Sequence, residues 1–183
     1  MKEKIIITGT GRAGTTLLMK IFTDLGLDTG FDRHKLDSYP DQGLENLKLD
    51  NDTLIQKAPH FSLNIESINQ RFNIRHVIIP IRDLNSSAQS RHRMGQRGVS
   101  GGLWGANSIE EQKNYNATLI YNLTERIAAL DIPHTFIHFP SFTKNSSILF
   151  SKLNWLWQSY KINQKTFEKT FNNTVDCSKI HNY

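Results

Sequence analysis

Eight residues near the start of the chain, Gly9-Thr10-Gly11-Arg12-Ala13-Gly14-Thr15-Thr16, are of the types needed to grip an anion. Three glycines in six positions let the backbone take positive φ and come close to a ligand. The N–H groups of such a turn, and of the helix end that follows it, present partial positive charge. Arg12 adds a guanidinium that stays charged near neutral pH. Two phosphate-binding loops match in part. A G-x-x-x-x-G-K-[ST] loop fits Gly9, Gly14 and Thr16, but Thr15 stands where the lysine that reaches the β/γ-phosphates belongs. That absence argues against an ordinary NTPase or kinase. A G-x-G-x-x-G loop fits Gly9, Gly11 and Gly14. Its acidic partner, about twenty residues on at the end of a second strand, would be Asp28 or Asp32. No β-rich run leads into either of them.

The elements that must position this loop follow from periodicity. Ile5-Ile6-Ile7 reads as a short buried strand, and Leu17, Leu18, Ile21, Phe22 and Leu25 as the apolar stripe of a helix after the turn. A second strand covers 53–57 and is ended by Pro59. Ser62 is suited to cap a helix with Ile65, Ile68 and Phe72 on one face. A third strand spans 75–83, with Pro80 expected where pairing stops. A helix follows it, and the glycine-rich, basic stretch 95–105 reads as a mobile lid. Ser108 and Glu111 form a capping box that opens a helix to about Leu130. A fourth strand covers 134–139, and Ser146 is expected to cap a helix carrying Leu149, Leu153, Leu156 and Trp157. The tail from 167 reads as a short helix and an extended end. Strands alternating with helices predict a three-layer α/β/α fold with a mostly parallel central sheet.

The 183 residues suit a single domain, 1–183, with a real core. A net charge of +5 favours anionic ligands but is too scattered to demand nucleic acid. No apolar run approaches the roughly twenty residues of a membrane span. Cys177 is the sole cysteine, so no internal disulfide forms. These features lead to the expectation of a cytoplasmic chain with neither membrane nor nucleic-acid partners; oligomeric state is open.

Gly-Arg-Ala-Gly-Thr-Thr-Leu-Leu, residues 11–18, resembles the 5′-phosphosulfate loop of sulfotransferases that use 3′-phosphoadenosine 5′-phosphosulfate (PAPS). Arg12 is the variant seen in the protein-tyrosine sulfotransferase branch and many bacterial relatives. The resemblance covers 5–25, 53–60 and 75–93. It implies a fold like that of the P-loop nucleoside triphosphate hydrolases. It also implies sulfonate transfer from PAPS to a hydroxyl or amine on a small-molecule, carbohydrate or peptide acceptor, with no metal. On it, Gly9, Gly11, Arg12, Ala13, Gly14, Thr15 and Thr16 hold the 5′-phosphosulfate, and Lys57, with Pro59 after it, stands beside the transferring sulfonate. Arg82, at a strand end, and Ser90, eight residues on, hold the 3′-phosphate. Two residues are candidates for the base: Glu45, in a loose match of Gly43-Leu44-Glu45-Asn46 to a Gly-aromatic-Glu-Asn element, and His60. Glu45 is slightly favoured, because Arg12 and Pro59 both point to the branch where Glu serves. The chain departs from the cytosolic members in lacking a late Arg-Lys-Gly element for the 3′-phosphate; Arg91, Arg93 or Arg97 are candidates to supply that charge. Two other readings stay open: a degenerate P-loop kinase or NTPase, and a nucleotide-binding module without catalysis.

Overall fold

The computed structural model describes residues 1–38, 43–46, 49, 52–98, 101–176, 178 and 180. Its four strands are β1 (Glu3–Ile7), β2 (Ile55–Lys57), β3 (Asn73–Ile81) and β4 (His134–His138). They form one sheet in the order β2-β1-β3-β4, every pair parallel. The helices are α1 (Thr15–Asp24), α2 (Ile65–Arg71), α3 (Leu84–Gln96), α4 (Ile109–Ala129), α5 (Ser141–Lys144), α6 (Ser146–Lys152), α7 (Asn154–Ser159) and α8 (Gln164–Thr174). Two 3-10 turns, Arg33–Ser38 and Pro59–Leu63, flank β2.

Three consecutive isoleucines make sense only in a strand covered on both faces. Side chains alternate across a strand, and here Ile5 and Ile7 enter one apolar cluster while Ile6 enters the other. The first cluster is built with α1, α6, α7 and α8, through Leu18, Phe22, Leu149, Trp157 and Phe167. The second uses α2 and α4, through Ile65, Ile68, Leu123 and Ile127. The expected three layers are therefore present. Truncating an aromatic such as Trp157, fully buried against Phe22 and Phe167, typically costs about 3–5 kcal/mol.

Because β1 lies between β2 and β3, the chain leaves it to one side first and the other side later. A crevice opens at such a switch point, beyond the carboxyl ends of the strands. Pro80 fits beside it. Ile78 accepts from Thr8 N–H on the β1 side at 3.2 Å, and Ile81 accepts from Phe139 N–H on the β4 side at 2.7 Å. Alternation turns the Pro80 nitrogen toward β1, whose pairing has already ended at Ile7 and Ile78. The missing donor thus costs no ladder bond, although the pairing with β4 runs on to Ile81.

Several local expectations are corrected. Ser62 caps no helix: it lies inside the 3-10 turn begun by Pro59 and donates to the Pro59 carbonyl at 2.6 Å, while Asn64 takes the cap position of α2. Asn145, not Ser146, caps α6, its Oδ1 accepting from Ser147 N–H at 2.9 Å. The helix that follows breaks at Leu153 into α6 and α7, so that Leu149, Leu153, Leu156 and Trp157 are all fully buried. Helix α3 runs through Met94, Gly95 and Gln96, so the stretch read as a lid starts inside a helix. Of that stretch, residues 99 and 100 lie outside the described residues, as does Cys177. The last helix starts at Gln164, capped by Asn163. The Ser108–Glu111 cap forms as expected, Ser108 Oγ accepting from Glu111 N–H at 3.1 Å.

Candidate functional site

The glycine loop leaves β1 at Thr8 and enters α1 at Thr15, at the crevice. Gly11 (φ 71°), Arg12 (φ 56°) and Gly14 (φ 84°) all occupy the left-handed region. At Gly14, the cap of α1, a Cβ would lie 2.6 Å from the Phe139 ring, so backbone strain and lack of space both demand glycine. No side chain caps α1 and its first turn carries no acid. The first-turn N–H groups have no intrahelical acceptor, and the positive end of the helix dipole is left to whatever enters the crevice.

A cleft of about 240 Å³ opens there, lined among others by Gly11, Arg12, Thr15, Thr16, Glu45 and His60. Pro59, Arg91, Gly101 and Trp104 complete the described lining. Four elements widely spaced in the chain thus meet: the glycine loop, the segment before β2, the turn after it, and the connection from α3 to α4.

Lys57 ends β2 and is fully buried. Its Nζ donates to Thr16 Oγ1 at 3.1 Å and to the Gly43 carbonyl at 3.2 Å, and lies 3.3 Å from Glu45 Oε1. Burial pushes its pKa below the ordinary lysine range; the Glu45 carboxylate works against this and the Arg12 charge adds to it. An ammonium therefore reaches the loop beside Thr16, delivered from the neighbouring strand, although Thr15 is not a lysine. Glu45 is held from both sides. Leu44, at φ 58°, is buried in the first core cluster. Asn46 N–H donates to the Lys57 carbonyl and Asn46 Oδ1 accepts from Lys57 N–H, both at 2.8 Å. Asp41 and Gln42, which precede Gly43, lie outside the described residues.

Arg82 and Ser90 are brought together on Arg12. Arg82 Nη1 donates to the Arg12 carbonyl at 2.8 Å, and its guanidinium lies 5.1 Å from the centre of the Phe139 ring. Ser90 Oγ accepts from Arg12 Nε at 3.2 Å. Neither Arg82 nor Ser90 is among the cleft-lining residues, whereas Arg12, which both of them contact, is. His60 lines the cleft from the turn after β2, its ring edge-on to Phe61 at 4.7 Å. Gly9, the loop's first glycine, packs against the end of β3: a Cβ there would meet the Pro80 carbonyl at 3.5 Å. Ala13 is buried.

Sequence reasoning undervalued Arg91 and Trp104. Arg91 was one of three candidate charges, and Trp104 merely part of a lid. The signal in the sequence was position: Arg91 follows Ser90 on α3, turned toward the same loop. Its guanidinium lies 5.3 Å from the Trp104 ring centre, and burial, with the nearby Arg12 charge, pulls its pKa down to about 10.

The dinucleotide alternative finds no support in the sheet. Asp28 sits at the start of β2, its carbonyl and carboxylate accepting from Ile55 and Leu54 N–H. A ribose-binding acid belongs at the far end of that strand, and there the residue is Lys57. Among the described residues, no group of three or more His, Cys, Asp or Glu side chains could hold a metal ion, and no helix is long and apolar enough to cross a membrane.

No family model matches the chain, and no curated protein matches it. Among solved structures it is similar to the sulfotransferase domain from the curacin biosynthetic pathway. The TM-score is 0.60 over 96% of this chain and 78% of that one, at 14% identity. At that identity the likeness is one of fold: the chain has a sulfotransferase-like α/β architecture.

Proposed function

We propose that the cleft binds PAPS by its 5′-phosphosulfate and passes the sulfonate to a hydroxyl or amine acceptor. One arrangement carries this reading: Arg12, the uncapped start of α1 at Thr15 and Thr16, and Glu45 line the same cleft, and the buried Lys57 ammonium backs it, bonded to Thr16 Oγ1 and 3.3 Å from Glu45 Oε1. A sulfonate held at Arg12 and the start of α1 would have positive charge around its leaving side and a carboxylate beside the attacking group. A bond forms from the acceptor oxygen or nitrogen to sulfur, and the sulfur–oxygen bond to the 5′-phosphate breaks. The acceptor proton goes to Glu45, with His60 as the alternative base, and adenosine 3′,5′-bisphosphate leaves. Catalysis here is positioning plus stabilisation of charge on the departing phosphate. In this reading Gly9–Thr16 hold the 5′ end, Arg82 and Ser90 read the 3′-phosphate next to Arg12, and no metal takes part. The acceptor is a small molecule, carbohydrate or peptide.

Calorimetry with adenosine 3′,5′-bisphosphate, AMP and ATP–Mg²⁺ tests the reading. The bisphosphate should bind far more tightly than AMP, with EDTA present or absent, and Arg82→Ala should erase most of that preference. Equal binding of bisphosphate and AMP by the unaltered protein, or preference for ATP–Mg²⁺, would return the chain to the kinase and NTPase class. Bisphosphate binding without turnover of any acceptor would leave a binding module.

A second expectation concerns Arg12. Its removal deletes a charge-assisted contact to the anion. Bisphosphate affinity should fall by about 1.5–3 kcal/mol in Arg12→Ala. An unchanged dissociation constant in that variant would remove the guanidinium from the site.

A further inference from the structure

Three successive carbonyls of the glycine loop are each held by a residue of the β3–α3 segment. Arg91 grips the Thr10 carbonyl with two nitrogens, Nη2 at 2.6 Å and Nε at 3.3 Å. Ser87 Oγ donates to the Gly11 carbonyl at 3.3 Å, and Arg82 holds that of Arg12. A carbonyl oxygen turned toward a bound anion repels it; one engaged by a donor on α3 is kept from turning.

The same donors reach a second segment. Arg91 Nη1 donates to the Gly102 carbonyl at 2.9 Å, and the guanidinium covers the Trp104 ring. All three of its nitrogens are thus committed to backbone carbonyls. A separate buried chain runs in parallel. Trp104 N–H donates to Gln112 Oε1 at 2.7 Å, Gln112 Nε2 to Asn116 Oδ1 at 2.9 Å, and Asn116 Nδ2 to Ser87 Oγ at 3.4 Å. Gln112, Asn116 and Ser87 are fully buried. A buried amide is costly unless its groups are satisfied, and a satisfied network rigidifies what it joins. Nothing in apolar packing calls for Gln112 and Asn116 on the inward face of α4, where Leu119 and Leu123 follow.

We infer that Arg91 and the Ser87–Asn116–Gln112 chain are positioning elements that lock the glycine loop in its anion-binding shape and tie it to the Trp104 wall of the cleft. The two walls then form one unit, so that loosening either loosens the other. Arg91 acts through the loop and not as a ligand of the anion. The functional consequence rests on the reading of the cleft given above; the mechanical one does not.

Arg91→Lys keeps the charge but loses the planar fork, and Asn116→Ala cuts the second chain far from the cleft. In each variant, hydrogen exchange of the ligand-free protein should rise together at Thr10–Gly14 and at 101–105. Affinity for adenosine 3′,5′-bisphosphate should fall at least tenfold in Arg91→Lys, with the circular-dichroism spectrum unchanged. Because Asn116 works through Ser87, adding Asn116→Ala to Ser87→Ala should cost no further affinity. Exchange that rises at one segment only, or at neither, overturns the inference, as does full additivity of the two substitutions. If the unaltered protein fails to bind the bisphosphate, the functional reading falls, while the exchange result still decides whether the two walls are coupled.

Discussion

Glu45→Gln is expected to lower kcat by roughly 10²–10⁴ while leaving bisphosphate binding intact. Glutamine keeps the size and one acceptor oxygen of the side chain but cannot take a proton. The segment that carries residue 45 should not move. Leu44 stays anchored in the core and Asn46 stays bonded to the backbone of Lys57 at both of its polar ends. What is lost is the proton acceptor, together with the charge facing Lys57 Nζ at 3.3 Å. Rate and binding should therefore separate, which they would not do if the variant were misfolded. The rival base makes the test sharp. His60 lines the same cleft, so His60→Ala belongs beside Glu45→Gln in every assay. A Glu45→Gln enzyme of normal rate next to a dead His60→Ala enzyme would reverse the assignment.

Lys57→Met should cut kcat/KM by about 10²–10³, the scale seen when one preorganised group that stabilises developing charge is removed. Unlike most damaging changes it should not destabilise the fold at neutral pH. Burial lowers the pKa of Lys57 from 10.5. Between that lowered value and 10.5 the unfolded chain binds more protons than the folded one, so stability rises with pH across that window. Below the window the buried ammonium is a full cost. Methionine has similar length and no charge, and the partly exposed Glu45 can be met by water once its partner is gone. In urea titrations at pH 7 the variant should be as stable as the parent or more so. Its advantage should shrink as pH climbs toward 10.5. A variant that loses stability in step with activity would make Lys57 a structural residue. Retention of a lysine that weakens the fold is the pattern expected of a group kept for chemistry.

Much of this arrangement was legible from local rules. Ile5–Ile7 announced a strand buried on both faces, and the glycine spacing announced left-handed turns. Ser108 and Glu111 announced a helix start that the structure keeps. The rest depended on contacts between distant parts of the chain. Leu44 has no periodic neighbours, so nothing local marks it as a buried residue at positive φ that orients Glu45. The resemblance marks Lys57, but its complete burial follows only once β1 and α1 close over it. Gly95 looked like the start of a loop because glycine weakens helices, but α3 packs along α4 and carries the helix through it. Arg91 is one of three candidate charges in the sequence, with Arg93 and Arg97, and only tertiary structure turns it onto the carbonyl of Thr10.

The packing of α1 against α8 also constrains how the protein is made. Thr174 Oγ1 donates to Asp24 Oδ2 at 2.8 Å across 150 positions of sequence, and Phe167 and Phe171 lie in the same cluster as Leu18 and Phe22. The helix that follows the glycine loop leaves the ribosome well before the helix that covers it. In the interval α1 carries an uncovered apolar stripe, and β1 must wait for β3 before it is paired on both sides. Nascent chains are therefore exposed to premature association, and to capture by holding chaperones, through the helix that follows the glycine loop.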